Sequence, residues 1–199
     1  MSLTDRVRVR EEKLLSDHWY VLKAVRFDYL RRDGRWQTGT REVYDRGNGA
    51  AILLYDLQRR TVVLTKQFRY PCFVNGHDDL MIEVPAGVLD SADPVACIRA
   101  EAEQEAGYRV AAPRKVFEAF MSPGAVTERL HFFVAEVSAA DRVSAGGGLQ
   151  EEGEDIEVFD CGFDEALAMV ARGQIVDAKT ILLLQWAALN LFDTGPRKP

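Results

Sequence analysis

The chain has 199 residues, with 25 Lys+Arg against 31 Asp+Glu and a formal charge of −6. That length fits one sizeable domain, or one domain with a small appendage, and 47% apolar with 28% charged residues excludes a disordered chain. The acidic balance argues against a general nucleic-acid binder, which needs a positive footprint, but leaves room for a small anionic substrate.

The N-terminus, MSLTDR, is too polar for a signal peptide. Residues 20–29 (YVLKAVRFDY) read as a strand, Arg32-Asp33-Gly34-Arg35 as a tight turn, and 36–44 as the return strand. After the loop DRGNG at 45–49, residues 50–55 form a buried strand, and 61–68 return from a polar turn at 58–60. A short strand at 80–84 is broken by Pro85-Ala86-Gly87. Asp93-Pro94 starts a helix, with an acidic N-cap and proline in the first position, and Gly107 stops it after Ala106. Further strands lie at 116–121 and 131–137. Gly146-Gly147-Gly148 leads into a flexible acidic loop, LQEEGED. A helix at 163–172 closes on Gly173, and the last helix, 178–192, is capped by Asp177. Strands with three helices predict α+β, or a mixed-sheet α/β sandwich, with no repeats and no clear linker. Cys72, Cys97 and Cys161 have no metal-knuckle or redox spacing, which suits reduced thiols in a cytoplasm. The longest apolar run, at 181–192, is too short to span a bilayer.

The helix after Gly87 carries the chemistry. Glu101 and Glu105 are four apart, on one face, at the edge of an apolar arc made by Val95, Ile98, Ala102 and Ala106. They repel each other, and they stand near the helix C-terminus, where the macrodipole disfavours negative charge. Such a pair taken alone is most often a solvated face. The preceding Pro85-Ala86-Gly87 loop, able to bring a backbone carbonyl to the same face, points instead to a hard divalent cation.

The segment GVLDSADPVACIRAEAEQEAGY, residues 87–108, resembles the Nudix box at Gly87, Glu101, Ala102, Glu105, Gly107 and Tyr108. It departs from that box in Asp93, in a spacer one residue short, in Ala100 for Arg and in Gln104 for Glu. The likeness runs from about Leu14 to Leu191 through REVYDRGNGAAILLYD, QFRY, VNG, AGVLD, CIRAEA, MSPGAVTE and AKTILLLQW. It is nearest to the nucleotide-sugar branch of the Nudix hydrolases, and within that branch to the GDP-mannose hydrolases.

The resemblance implies a Nudix α/β/α sandwich over residues 47–199, preceded at 1–46 by antiparallel strands used in homodimerisation. It implies hydrolysis of the diphosphate of a nucleotide sugar, GDP-mannose first, with Mg²⁺ (or Mn²⁺) as cofactor. ADP-ribose hydrolysis is the alternative, and Ala100 with Gln104 motivates a second, a catalytically weak nucleotide-binding domain. The metal shell would be the Ala86 carbonyl, Glu101, Glu105 and Glu154, with Glu105 and Glu154 catalytic and Glu151 and Glu152 the rivals of Glu154. Substrate contacts would come from Trp19, Arg41, Glu42, Arg69, Ala86, Gly87, Glu128 and Lys179. On the residues alone, Arg69 is a surface cation, Trp19 a core or interface aromatic, and 151–157 a solvated loop. Lys179, electrostatically misplaced in the first turn of a helix, favours a role in holding phosphate. Ser122 and His131 lack the third member of a nucleophilic triad. The expected protein is soluble and cytoplasmic, with no nucleic-acid or membrane partner.

Overall fold

In the computed structural model, residues 2–89 and 93–192 are described. Part of the Nudix-like segment, 90–92, and the tail 193–199 lie outside the described residues. The chain divides into two compact units, Met1–Asn48 with Phe120–Arg129, and Gly49–Ala119 with Leu130–Pro199.

The first unit is an antiparallel sheet of β1 (Val7–Ser16), β2 (Val21–Leu30) and β3 (Trp36–Asp45), in that order. β2 and β3 pair without a slip, from Val21 opposite Asp45 to Leu30 opposite Trp36. Gly34, at φ +81°, supplies the left-handed residue of the turn between them. β1 is an addition to the elements expected from the sequence. Its run VRVREEKLLS is exposed throughout, and its register shifts near Glu11 and Ser16. Charge and bulges are how an edge strand avoids unwanted pairing, and they also hide it from periodicity. The segment 120–129 lies beside the end of β3: the Tyr44 amide donates to the Ala125 carbonyl at 2.8 Å, and the Thr127 amide to the Tyr44 carbonyl at 3.1 Å.

The second unit holds β4 (Gly49–Asp56), β5 (Thr61–Gln67), β6 (Met81–Glu83), β7 (Ala86–Val88), β8 (Arg114–Phe120), β9 (Arg129–Glu136) and β10 (Glu157–Gly162). Its helices are α1 (Tyr70–Val74), α2 (Pro94–Ala106), α3 (Phe163–Ala171) and α4 (Ala178–Asn190). Among the described residues there are thus four α-helices where three were expected; the extra one, α1, is five residues long with Pro71 in its first turn, too short to show a period. The sheet runs β10-β5-β4-β9-β8, with β4 parallel to β9 and antiparallel to β5. β4 is buried along almost its whole length. Its alternate residues Ala50, Ile52 and Leu54 join Ile98, Ala102 and Ala106 of α2 in one core. From the other face Tyr55 meets Phe192, which stacks on Phe163 of α3 at 4.0 Å between ring centroids. This is a helix–sheet–helix sandwich on a mixed sheet.

One irregularity of the sheet positions the site. β4 and β5 pair only from Leu54 opposite Val63 to Asp56 opposite Thr61, then part. The chain at 81–88 fills the gap: β6 pairs with β5, β7 pairs with β4, and Pro85 between them offers its carbonyl to the Ile52 amide at 3.0 Å. The expected break at Pro85-Ala86-Gly87 is therefore a step from one strand to the next, made where proline has no amide to leave unpaired.

α2 begins and ends as its sequence dictates. The Asp93 carboxylate accepts the Val95 amide, and Gly107, at φ +78°, closes the last turn, with its amide on the Glu103 carbonyl and that of Tyr108 on Ala102. A Cβ at Gly107 would lie 2.4 Å from the Ser144 carbonyl oxygen and 2.8 Å from the Gly146 nitrogen. Both obstacles are backbone. Gly107→Ala is expected to cost roughly 1–3 kcal/mol from the left-handed conformation alone, and more from the clash. A lowered urea midpoint with an unchanged m-value measures it.

Candidate active site

Glu105 sits in the last turn of α2 and is 2% exposed. Apolar packing of the helix draws it inward, because it flanks Ala102 and Ala106 on the buried arc. Its Oε2 accepts the Ala86 amide of β7 at 2.9 Å. Glu105 therefore touches the nitrogen of Ala86 rather than the carbonyl expected to hold metal. Burial pushes the Glu105 carboxyl up to about 8; the Ala86 hydrogen bond opposes this, the charges of Glu101 and Glu154 add to it, and Arg69 opposes it.

Glu101 reaches the same strand one turn earlier. A Cβ on Gly87 would fall 1.9 Å from Glu101 Oε1, so only glycine admits this carboxylate against β7. Glu154 arrives from the glycine loop, which is held in place and is not the free loop its composition suggests. The amides of Gly147 and Gly148 donate to the Glu105 and Gln104 carbonyls at 2.9 and 3.1 Å, satisfying the open end of α2. A Cβ on Gly148 would meet Glu154 Oε2 at 2.4 Å, and that oxygen accepts the Leu149 amide at 2.9 Å. Of the rivals, Glu151 is exposed, and the side chain of Glu152 lies outside the described residues.

Among the described residues, no three His, Cys, Asp or Glu side chains stand preassembled as a metal site. The donor chemistry nevertheless fits a hard divalent cation. Glu101, Glu105 and Glu154 offer only oxygen, and the raised pKa of Glu105 marks a place where negative charge lacks compensation.

A second cluster adjoins the first. Glu83 of β6, 3% exposed, binds Arg69 through its Nη2 at 2.8 Å and Lys179 through its Nζ at 3.3 Å. Burial works to raise the Glu83 carboxyl, but Lys179 and then Arg69 outweigh it and hold the carboxyl below its usual range. Burial likewise opposes the charge of Arg69, and Glu83 more than restores it. Arg69 is thus neither a loose surface cation nor solitary. Lys179 also pairs with Asp177 at 3.0 Å, which answers its misfit in the first turn of α4.

The remaining expected residues belong to the first unit. Trp19 is 80% exposed, which excludes a core role in the chain as described. Arg41 and Glu42 line a groove of about 470 Å³ with Val25, Phe27, Phe120 and Thr127. Glu128 pairs with Arg46 Nε at 3.5 Å. The sequence points to neither Glu83 nor Arg46 as site residues, and to Asp177 only as a helix cap. The one available signal for Glu83 was a carboxylate inside the apolar run LMIEVP, since a charge rarely enters a core without partners.

Comparison with known proteins decides the family. The NUDIX domain profile matches residues 45–184, and that of the GDP-mannose pyrophosphatase NudK N-terminal domain matches 6–44. The chain belongs to the Nudix hydrolases. It is 51% identical to a GDP-mannose pyrophosphatase of Klebsiella pneumoniae, over 95% of each chain. It is 50% identical to one of Pectobacterium atrosepticum, over 94% of this chain and 97% of that one. A third, from Escherichia coli, is 47% identical over 94% and 98%. Nudix hydrolases use divalent metal ions, and the oxygen-only set of Glu101, Glu105 and Glu154 is of the type such ions require.

The Glu105 shift has a consequence for stability without metal. Its folded pKa, about 8, lies above the ordinary carboxyl value of 4.5. Between the two the native state keeps a proton that the unfolded chain has lost, so stability falls as pH rises through that window. The metal-free Nudix protein is expected to lose on the order of a few kcal/mol from this group. Glu105→Gln should flatten the slope, read as urea midpoints in chelator from pH 5 to pH 8. An unchanged slope would place its origin elsewhere.

Proposed function

We propose that the chain hydrolyses the diphosphate bond of GDP-mannose, giving GMP and mannose 1-phosphate, with Mg²⁺ as the ion. The observation that carries this reading is identity of 47–51% to GDP-mannose pyrophosphatases over more than nine-tenths of the chain. The buried carboxylates beside the paired cations are the chemistry such a reaction needs.

Glu101, Glu105, Glu154 and the Ala86 carbonyl would hold the ion, with Gly87 leaving room for the Glu101 carboxylate. When bound, a divalent ion neutralises phosphoryl charge and acidifies coordinated water. Arg69 and Lys179 bind the diphosphate oxygens. Glu154 would orient the attacking water and take its proton, and Glu105, fixed by the Ala86 amide, would help to hold the ion. Water adds to one phosphorus, the P–O bond to the bridging oxygen breaks, and the second phosphate leaves with that oxygen. No covalent enzyme intermediate is required. The three cysteines are free thiols, as suits a cytoplasmic enzyme, and no helix among the described residues is long and apolar enough to cross a membrane.

The protein also acts, on this reading, as a homodimer. Residues 1–46 serve dimerisation and substrate contact, and 47–199 form the hydrolase domain. No residue of β1, β2 or β3 is buried, and a sheet with no covered face is marginal in water. Arg41 and Glu42 would serve the partner's site, with Trp19 near the nucleobase and Glu128 a further substrate contact.

Turnover of GDP-mannose, ADP-ribose and other nucleotide sugars, side by side with and without Mg²⁺, tests the function. The expected result is Mg²⁺-dependent cleavage with GDP-mannose preferred, abolished in a folded Glu105→Gln protein. Preference for ADP-ribose would replace the substrate, and no turnover on any diphosphate would leave only a binding domain.

Subunit exchange tests the dimer. Arg41→Ala and Glu105→Gln proteins, each inactive, should regain activity when mixed, since some heterodimers carry one intact site. A confirmed exchange without recovery would remove the shared site, and a monomer at assay concentration would remove the dimer.

A further inference from the structure

Glu83 is a buried carboxylate with no duty in its own strand. Asp177, its neighbour in the cluster, is accounted for locally, because its Oδ2 caps α4 by accepting the Thr180 amide at 2.9 Å and the Thr180 hydroxyl at 2.6 Å. Glu83 lies in β6 between Ile82 and Val84, both buried, where an apolar side chain would pack without loss. Burying a charge costs several kcal/mol and rarely adds net stability. Its partners are all in the cluster. Oε1 accepts Arg69 Nε at 3.2 Å, while Oε2 accepts Arg69 Nη2 at 2.8 Å, Gln67 Nε2 at 3.3 Å and pairs with Lys179 Nζ at 3.3 Å.

The two cations reach Glu83 from distant parts of the chain, Arg69 at the N-cap of α1 and Lys179 in the first turn of α4. Each has a long, flexible side chain that would otherwise sample many rotamers. One carboxylate gathers both, and leaves Arg69 part-exposed, with 40% of its side chain accessible. We propose that Glu83 is a positioning residue for the hydrolysis: it fixes Arg69 and Lys179 as a preorganised pair for the diphosphate. This rests on the reading of Arg69 and Lys179 as diphosphate contacts. Donors held in place before substrate arrives need no reorganisation during reaction, which is where their value to catalysis lies. Without the carboxylate Arg69 would lose its ion pair and Lys179 would keep only Asp177, so nothing would hold the two cations together.

The test compares kcat/KM on GDP-mannose, in saturating Mg²⁺, for the native protein, Glu83→Gln, Arg69→Ala and the double variant, with Tm measured for each. Glu83→Gln keeps the volume and an acceptor but removes the charge. It should lower kcat/KM roughly 10- to 100-fold, the range of a charged hydrogen bond. In the Arg69→Ala background the same change should cost about threefold or less, because most of what Glu83 positions is already gone. A merely structural Glu83 would lower Tm and reduce activity by the same factor in both backgrounds, and that result overturns the proposal. So does native kcat/KM in Glu83→Gln. If Glu83→Gln does not fold, Glu83→Asp, which keeps the charge on a shorter arm, enters the same comparison with the same criterion. An Arg69→Ala protein with native kcat/KM would instead refute the diphosphate role of Arg69, and the positioning role with it.

Discussion

The parting of β4 from β5 is the constraint on which the candidate site depends. Two strands that stayed paired to their ends would leave no place for the chain at 81–88. Because β4 pairs with β5 only from Leu54 onward, β6 and β7 enter side by side beyond it, and each delivers one component. β6 carries Glu83, with Arg69 and Lys179 bound to it. β7 presents the Ala86 amide and the bare backbone of Gly87 to the carboxylates of α2. Pro85 makes the step between strands without wasting an amide. Each residue of Pro85-Ala86-Gly87 has its own part in the structure: one that cannot donate, one whose amide donates to Glu105, and one whose missing side chain admits Glu101.

The glycine run shows a second economy. Helices end with carbonyls that lack intrahelical partners, and at α2 these include the carbonyls of Gln104 and of Glu105, the buried acid itself. Gly147 and Gly148 bind them. Gly146 and Gly148 also stand where a Cβ would strike the Glu105 carbonyl oxygen and the Glu154 side chain, each at 2.4 Å. The same few residues close the helix and bring a third carboxylate to within electrostatic reach of Glu105.

How much of this the sequence carried follows from the kind of force involved. α2 was legible from end to end because its signals are local: Asp93, Pro94, the apolar arc and Gly107. The hairpin of β2 and β3 was legible for the same reason, through Asp33-Gly34. β1 and β10 were not, since edge strands carry charges that erase alternation, as Glu157 and Asp160 do in EVFDCG. The burial of Glu105 was half visible, at the rim of an apolar arc, whereas that of Glu83 was invisible to periodicity. A strand residue's face is fixed by its partners, and those of Glu83 lie 14 and 96 positions away in the chain. Motif resemblance found Arg69 and Lys179 but not the carboxylate between them.

Glu83 at the end of β6 and Glu105 in the last turn of α2 are both nearly inaccessible, and they are driven in opposite directions. Two cations hold the first ionised; burial among like charges holds the second toward its neutral form. Desolvation acts on both with the same sign, so the difference comes wholly from neighbours. Of the 31 acidic residues, 23 fall after position 48, against 14 of the 25 basic ones. A domain so acidic repels an anion at long range. At short range the two carboxylates differ: Glu83 is matched by Lys179 and Arg69, whereas Glu105 is not matched, and on the proposed function the first would present cations to the diphosphate and the second would receive a metal ion. On that proposal, affinity for a diphosphate and for a metal ion would both rest on buried glutamates, placed by a single step between two three-residue strands.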